Sequence, residues 1–184
     1  MIDTRATDDR PTTLAEIARA AAEQRLPPVE TWHPERCGDS EMRIARDGTW
    51  FHQGGVISRP EMVRLFSTIL RREPDGRHVL VTPAEKLDIV VDDAAFVAVA
   101  MTTEGEGERR RIGFALNTGD PVIAGSHNAI AVRGGAPYLH VRGGLEALIA
   151  RPVYYELAEI AIAEGMEPPG VWSDGVYFPL MAAA

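Results

Sequence analysis

The chain is organised around one stretch of sequence, Val56-Ile57-Ser58-Arg59-Pro60-Glu61-Met62-Val63-Arg64-Leu65-Phe66. Its apolar residues recur at the spacing of an amphipathic helix, which predicts a helix that lays an apolar face on a sheet. A related stretch follows later, Leu148-Ile149-Ala150-Arg151-Pro152-Val153-Tyr154-Tyr155-Glu156-Leu157. An Ile-X-Arg-Pro sequence followed by an apolar-periodic run therefore occurs twice. This repeat indicates a duplicated unit, with a seam between two related halves.

The residues around the two helices predict the same order of elements in both halves. Asp47-Gly48 is a hairpin turn signal before the first helix, and Ser58 with Glu61 forms a capping box that opens it. Asp75-Gly76 and Asp174-Gly175 stand at similar places after the two helices. Each half therefore reads as hairpin, helix and strand. The inward faces that the periodicity predicts are Met62, Leu65, Phe66, Ile69 and Leu70 in the first helix, and Val153, Leu157, Ile160 and Ala161 in the second.

The predicted fold class is α+β with mostly antiparallel sheet. We divide the chain into residues 1–28, a disordered tail and a helix that a capping box opens at Thr13, then 29–93, the first α+β repeat, and 94–184, the second repeat. The two repeats are expected to pack closely because no linker-like segment separates them.

The composition of the chain argues against several classes of function. The formal net charge of −8 argues against binding a nucleic-acid polymer, which needs a positive face. The lone Cys37 cannot form an internal disulfide, and the longest apolar run, Ala94 to Met101, is too short to span a bilayer. With no signal-peptide core at the N-terminus, we expect a soluble cytoplasmic protein. The histidines lack metal-motif spacing and no standard phosphate loop occurs, so neither a metal nor a cofactor is predicted.

Three basic residues are candidates for binding an anion. Arg59 and Arg151 each fall in the first turn of a predicted helix, where a cation opposes the helix dipole. Either a bound anion or a salt bridge to a neighbouring acid would compensate for this. Lys86 is the single lysine beside 18 arginines, which suggests a site where a compact ammonium cannot be replaced by a planar guanidinium; chance is the alternative explanation.

Two further groups of residues have both a structural and a functional interpretation. Thr82-Pro83-Ala84-Glu85-Lys86 is a single-turn capping box, which would also present the Thr82 hydroxyl and the Glu85 carboxylate beside the Lys86 ammonium. The aromatic residues Trp50 and Tyr138 fill a core or flank a planar ligand.

The chain resembles a bacterial family, the domain-of-unknown-function family number 1285. The resemblance covers roughly Val29 to Gly165. It rests on matching strings in both halves, namely Asp47-Gly48-Thr49-Trp50-Phe51-His52, Ile57-Ser58-Arg59 with Leu65-Phe66, Leu80-Val81-Thr82-Pro83-Ala84-Glu85-Lys86, Asp92-Asp93-Ala94-Ala95-Phe96, Phe114-Ala115-Leu116-Asn117-Thr118-Gly119-Asp120, His127, and Pro137-Tyr138-Leu139. The resemblance implies a duplicated α+β core whose C-terminal half is similar to pleckstrin-homology folds. It also implies a cleft for a nucleotide-like ligand between the halves and a role in signalling.

The leading hypothesis is a ligand-binding or sensory protein that holds a small nucleotide-like anion between its halves. One alternative is a protein-interaction module of pleckstrin-like shape with a protein partner. The other is an enzyme acting on a phosphorylated small molecule, which the missing nucleophile or metal signature disfavours, so no catalytic residue is assigned. In this hypothesis the phosphate is bound by Arg59, Lys86 and Arg151. The base is flanked by Trp50 or Tyr138, and the ligand is oriented by hydrogen bonds from Thr82 and Glu85.

Overall fold

A computed structural model of the protein describes residues 13–15, 19, 23 and 25–181. The tail predicted over residues 1–10 lies outside the described residues, as does most of the helix predicted to begin at Thr13. The described positions between 14 and 23 are helical, and the Leu14 side chain is buried. Within the described part of the chain, no helix is long and apolar enough to cross a membrane.

The first half consists of a six-stranded sheet and one helix. Its elements are β1 (Arg36–Ile44), β2 (Trp50–His52), β3 (Gly55–Val56), α1 (Pro60–Thr68), β4 (Leu70–Arg72), β5 (His78–Val81) and β6 (Glu85–Val91). The second half consists of another six-stranded sheet, a second helix and a small hairpin. Its elements are β7 (Phe96–Glu104), β8 (Arg111–Leu116), β9 (Pro121–Ile123), β10 (Ile130–Arg133), β11 (Ala136–Arg142), β12 (Leu145–Ile149), α2 (Arg151–Glu164), β13 (Gly170–Ser173) and β14 (Val176–Pro179).

The two large sheets have the same topology. The first has the strand order β3-β2-β1-β6-β5-β4, and the second, read in the same direction, is β9-β8-β7-β12-β11-β10. Each sheet consists of two three-stranded antiparallel meanders joined by one parallel pair, β1 with β6 and β7 with β12. This arrangement confirms the predicted α+β class, with two related halves and mostly antiparallel pairing.

The two helices occupy different positions in this six-strand repeat. Helix α1 connects the third strand to the fourth, whereas α2 follows the sixth strand of its half and precedes the hairpin β13–β14. The two Ile-X-Arg-Pro sequences therefore mark similar helix starts at different points of the repeat. Proline suits the first position of any helix because its missing N–H would have no partner there. The repeated Arg-Pro motif therefore marks the start of a helix, and it does not mark equivalent positions in the two halves.

Four short strands were missing from the sequence prediction, the shortest of them β3 at Gly55–Val56. Leu70, predicted to lie on the helix, begins β4; Leu145–Ile149, between a Gly-Gly and an Arg-Pro, forms β12; and Gly170–Ser173 forms β13. Strand β12 pairs in parallel with β7 and so joins the two meanders of the second sheet. A five-residue run gives little periodicity, so these strands could not be read from local pattern.

The core is shared between the halves. One cluster of buried apolar side chains includes Ile44 and Trp50 from the first half and Phe96, Phe114 and Leu139 from the second. Helix α2 packs on its curled sheet, with Val153, Leu157 and Ala161 buried as predicted. The second sheet is followed by α2 and the β13–β14 hairpin, and the pleckstrin-like character predicted for this half stays a prediction.

Fewer side chains of α1 pack against the core than the sequence predicts. Val63, Phe66 and Ile69 pack against the core, spaced three residues apart. Met62 and Leu65 were predicted to face inward, but their exposures are 37% and 58%. The helix therefore contacts the core along one row of side chains, and the neighbouring row of Met62 and Leu65 is turned toward solvent.

Candidate functional site

A cleft of about 560 Å³ lies between the two halves. Its walls are the turn between β1 and β2, the first turn of α1, and the turn between β8 and β9. The first two elements belong to the first half and the third to the second half, so the cleft exists only because the halves pack together. This is the seam that the repeat predicted.

The floor of the cleft is held by Asn117 of the β8–β9 turn. Its Oδ1 accepts the Val97 backbone N–H at 2.9 Å, and its Nδ2 donates to the Gly48 carbonyl at 3.2 Å. Gly48 has a φ of +87°, and a Cβ there would stand 2.5 Å from Asn117 Nδ2. The β1–β2 turn therefore needs glycine both for its backbone angle and for this close approach.

Arg64 supplies a guanidinium at the edge of the cleft. Its Nε donates to the Thr118 carbonyl at 3.1 Å, across the seam. Its Nη2 lies against Gly119, where a Cβ would come within 2.7 Å. Arg64 is not among the residues predicted from the sequence, because nothing in its local pattern shows that the β8–β9 turn of the other half lies beside it.

The N-terminus of α1 opens onto the same cleft. Ser58 and Pro60 both line it, and Pro60 is the first helical residue. The predicted capping box is wrong in register: Arg59, not Ser58, is the N-cap, and its side chain makes no cap hydrogen bond to the described residues. Arg59 is exposed and adjoins the cleft between two lining residues.

Trp50 lines the cleft with little of its surface. It is only 1% exposed, and its ring stacks on Phe66 with centroids 6.4 Å apart. Its Nε1 has no hydrogen-bond acceptor among the described residues. The indole of this lining residue therefore has a buried N–H without an acceptor, while its ring is used in packing.

Asp47 is the one carboxylate among the described residues that line the cleft. The backbone N–H of Thr49 donates to its Oδ1 at 2.9 Å. This backbone hydrogen bond, with a second from the Thr49 hydroxyl, lowers the pKa of the Asp47 carboxyl below its usual value. Its charge is thus satisfied within its own turn, with a smaller contribution from Arg43.

Thr82 and Glu85 lie in the tight turn between β5 and β6. The Thr82 hydroxyl oxygen accepts the backbone N–H groups of Ala84 at 3.3 Å and Glu85 at 3.2 Å. The predicted bond to the Thr82 hydroxyl forms, but the Glu85 side chain does not complete the capping box, because the Thr82 N–H donates to the Glu85 backbone carbonyl at 2.9 Å. The segment is a hairpin turn that continues into strand β6. The Glu85 carboxylate pairs with Arg36 at 3.5 Å, and both Thr82 and Glu85 line a second cavity inside the first half.

Lys86 is paired within the first half. Its Nζ donates to Glu73 at 3.3 Å, and Glu73 also accepts from Arg71 Nε at 2.7 Å. Burial alone would raise the pKa of the Glu73 carboxyl, but the hydrogen bonds from Arg71 and Lys86 outweigh it, so the pKa is lowered. Arg71 Nη1 also donates to the Val29 and Trp32 carbonyls at 2.7 and 2.8 Å, which ties the segment before β1 to β4.

The last two predicted residues lie outside the cleft. Arg151 is the exposed first residue of α2. The Tyr138 hydroxyl donates to Asp93 at 2.9 Å, and the Arg133 guanidinium lies 4.3 Å from the ring centroid. Burial and the bond to Asp93 raise the pKa of Tyr138. The seven predicted residues are thus dispersed: Trp50 lines the cleft, Arg59 adjoins it, and the others lie elsewhere.

The cleft presents several hydrogen-bond donors. The lining residues with side-chain donors are Arg64, Asn117, Trp50, and the hydroxyl residues Ser58, Thr49 and Thr118. The residues that line it in the described ranges include no His, Cys or Lys to act as a base or nucleophile. No group of His, Cys, Asp and Glu residues suited to a metal ion occurs among the described residues.

Comparison with family models covers both halves. The N-terminal model, "Domain of unknown function (DUF1285), N-terminal domain", matches residues 27–94, and the C-terminal model, "Protein of unknown function (DUF1285), C-terminal domain", matches residues 95–180. No curated protein matches the chain.

Two solved structures are similar. A DUF1285 family protein from Silicibacter pomeroyi DSS-3 is 47% identical, with a TM-score of 0.78, over 92% of this chain and 94% of that one. A DUF1285 family protein from Shewanella baltica OS155 is 21% identical, with a TM-score of 0.54, over 65% of this chain and 91% of that one. The second likeness shows a shared fold alone.

Proposed function

The chain belongs to the DUF1285 family, and we propose that it is a ligand-binding protein that holds a small, nucleotide-like anion in the cleft between its two halves. The observation that carries the proposal is the convergence on one cleft of the Arg64 guanidinium, the open N-terminus of α1 and the unpartnered Trp50 N–H. All three are hydrogen-bond donors or positive ends of dipoles, and all suit an anionic ligand.

The electrostatic support comes from Arg64 and α1 together. The N-terminus of α1 carries a partial positive charge, which favours a phosphate or carboxylate, although Pro60 has no N–H and the Met62 and Val63 N–H groups already donate to the Arg59 carbonyl. Arg64 uses its Nε on Thr118, and a guanidinium has further donors in a planar fork that matches an oxyanion. Arg59, exposed at the N-cap, adds a second positive charge beside the cleft.

The buried Trp50 N–H is independent support. A buried donor without an acceptor costs about 1–3 kcal/mol, so native structures rarely leave one unpaired. Because Trp50 lines the cleft, a ligand carbonyl or ring nitrogen reaching this wall would satisfy its N–H. This supports a ligand with a heterocyclic part as well as a charged part.

The size and position of the cleft also support a small molecule. Ligand pockets typically enclose about 300–1,000 Å³ and occur preferentially where domains meet. The cleft, at about 560 Å³, falls within this range. A ligand that contacts both halves would fix one against the other, which is the physical basis of the sensory role we propose.

The test is thermal unfolding of the full chain against a panel of nucleotides and sugar phosphates. A ligand at 100 times its dissociation constant adds about 2.7 kcal/mol of stability, a readily measured shift. We expect Arg64→Gln to weaken the binding of a hit about tenfold, since a hydrogen bond to a charged group contributes roughly 1.5–3 kcal/mol.

The matched control is Arg109→Gln. Arg109 is an exposed arginine at the tip of the β7–β8 hairpin, away from the cleft walls, so this variant loses the same charge and should keep its affinity. A panel without a hit, or equal losses in the two variants, would remove the anionic ligand from this cleft. The search would then turn to the protein partner that the sequence analysis kept as an alternative.

A further inference from the structure

We propose that the first half contains a second, separate binding site, which takes an apolar molecule with a protonated amine head. The site is a cavity of about 550 Å³ enclosed by α1 and the first sheet. It goes beyond the proposed function, because it does not include Arg64 or any residue of the second half. Its lining favours a ligand of the opposite charge to the one proposed for the cleft.

The wall of the cavity is apolar on both sides. Helix α1 and its flanks contribute Ile57, Phe66 and Ile69, and the sheet contributes Leu80 and Leu87 from β5 and β6. Burying apolar ligand surface against such a wall contributes roughly 25 cal/mol for each Å² removed from water. A ligand with a hydrocarbon or aromatic body therefore fits the space.

The polar groups of the cavity define the head of the ligand. The Asp39 and Glu85 carboxylates both line it, and among the described residues no Arg or Lys does. Each carboxylate has an exposed partner and spare acceptor positions: Asp39 Oδ1 accepts the Glu41 N–H at 2.8 Å, and Glu85 pairs with Arg36 at 3.5 Å.

The other polar side chains of this cavity are less available for a charged head. The Ser40 hydroxyl donates to the Asp88 carbonyl at 2.7 Å and accepts the Met42 N–H at 3.2 Å. The Thr82 hydroxyl is engaged within its own turn. His52, an exposed imidazole, also lines the cavity. The two carboxylates thus set the charge preference, which favours an ammonium over a fatty-acid-like anion.

Apolar surface continues from the cavity onto the outside of α1. Met62 lines the cavity and is 37% exposed, and Leu65, three residues later on the same helix surface, is 58% exposed. A ligand body longer than the cavity would therefore still lie on apolar protein surface at the mouth.

A wall of packed side chains separates the cavity from the cleft. Ile57 lines both spaces, and the stacked rings of Trp50 and Phe66 stand between them, since Trp50 lines the cleft and Phe66 lines the cavity. The two sites can therefore be tested one at a time.

The experiment is calorimetric titration of the full chain at neutral pH with three probes that share one chain length: decylamine, decanol and decanoate. We expect decylamine to bind tightest and decanoate weakest. The double variant Asp39→Asn with Glu85→Gln should weaken decylamine roughly fivefold and leave decanol unchanged, since partly exposed ion pairs contribute up to about 1 kcal/mol.

Two matched tryptophan variants test the place of binding. Met62→Trp adds bulk at the cavity mouth on a partly exposed position and should abolish binding of both decylamine and decanol. Leu65→Trp adds the same bulk on the same helix outside the cavity and should preserve it. Arg64→Gln, which tests the cleft, should not change decylamine binding.

Three results would overturn the proposal. The first is that none of the probes binds; the second is that Met62→Trp and Leu65→Trp weaken binding equally; the third is that decanoate matches decylamine. None of these depends on the nucleotide panel, so failure of this site is distinguishable from failure of the cleft.

Discussion

Lys86 illustrates at the residue scale how a side chain suited to a ligand can serve the fold. Its ammonium lies 3.3 Å from Glu73, which also accepts from the buried Arg71. Arg71 in turn holds the Val29 and Trp32 carbonyls. The single lysine of the chain therefore completes a charge network that attaches the segment before β1 to β4.

This network predicts a stability loss in Lys86→Met. Both partners of the pair are less than a quarter exposed, so we expect a loss of about 1–2 kcal/mol at neutral pH, measured by urea unfolding. The folded-state pKa of Glu73 is lowered, so the stability it contributes is present above its unfolded pKa. That contribution is lost as the pH falls through the lower folded-state pKa, and the difference between the variant and the parent should shrink there.

Lys86→Arg is the control for charge, since it keeps the cation and should lose less stability than Lys86→Met. If Lys86→Met were as stable as the parent and yet failed to bind the ligand of the cleft, the anion-binding role predicted from the sequence would be correct and the structural role wrong.

The contrast between Arg59 and Arg64 shows how far single residues could be predicted. Arg59 was selected because its position before a helix is visible in the sequence, and it does adjoin the cleft. Arg64 lines the cleft because the Thr118 carbonyl of the other half lies beside it. That neighbour is 54 positions away in the chain, and no local pattern reports such a contact.

The β1–β2 turn is the element on which the seam depends. Gly48 lies in this turn at a φ of +87°, and the Asn117 amide and the Val97 side chain of the other half lie directly against it. The equivalent Asp-Gly turn between β4 and β5 has Gly76 at +89°, where the nearest atom to an added Cβ is 3.9 Å away. The two glycines have the same backbone conformation but different surroundings.

This pair predicts unequal costs for the same substitution. Gly76→Ala should lose about 1 kcal/mol, because a left-handed conformation costs a side chain roughly 1–2 kcal/mol. Gly48→Ala should lose at least about 2 kcal/mol, because it adds a contact of 2.5 Å with Asn117 Nδ2 to the same strain. Chemical denaturation of both variants measures the difference, and equal losses would show that Asn117 moves aside freely.

The elements that could be predicted are those with strong local signals. The Asp47-Gly48 and Asp75-Gly76 turns, the α1 helix and the long strands β7 and β8 follow from turn chemistry and from runs long enough to show a period. The short strands β4 and β12 could not, because each is defined by its pairing: β4 with β5, and β12 with both β11 and β7. The positions of α1 and α2 within the six-strand repeat likewise become visible only when the pairing of the strands is known.

At the scale of the whole molecule, arginines tie the two halves together. Arg64 reaches the Thr118 carbonyl at 3.1 Å, Arg72 the Gly144 carbonyl at 3.1 Å, and Arg142 the Ser67 carbonyl at 2.7 Å. Arg64 and Arg72 extend from the first half, and Arg142 extends from the second to the end of α1. Helix α1 is therefore held by the second half at its middle, through Arg64, and near its C-terminal end, through the Ser67 carbonyl, which keeps the cleft in shape.

The shared core also determines how the two halves unfold. Because one hydrophobic cluster contains residues of both halves, the halves should unfold in a single transition. Trp50 in the first half and Trp172 in the second report on this separately, once the other two of the three tryptophans are replaced by phenylalanine. Coincident midpoints are expected from the two single-tryptophan proteins.

Arg142→Met tests the link between the halves. Arg142 donates to Ser67 and lies over the Phe96 ring at 5.1 Å, and burial lowers the pKa of its guanidinium although Asp120 acts to raise it. Methionine keeps much of the apolar packing and removes the charged donor, so we expect a loss of about 2 kcal/mol. Both tryptophan midpoints should fall together, because the core still joins the halves.

The matched control is Arg133→Met, which removes a guanidinium that pairs with Glu146 within the second half and stacks on Tyr138. It should lose no more than about 1 kcal/mol, as expected for a half-exposed pair. Midpoints that separate in Arg142→Met, with Trp50 unfolding before Trp172, would show that the arginine and not the core couples the halves. Ligand binding in the cleft would then depend on this one contact, since the cleft walls come from both sides of it.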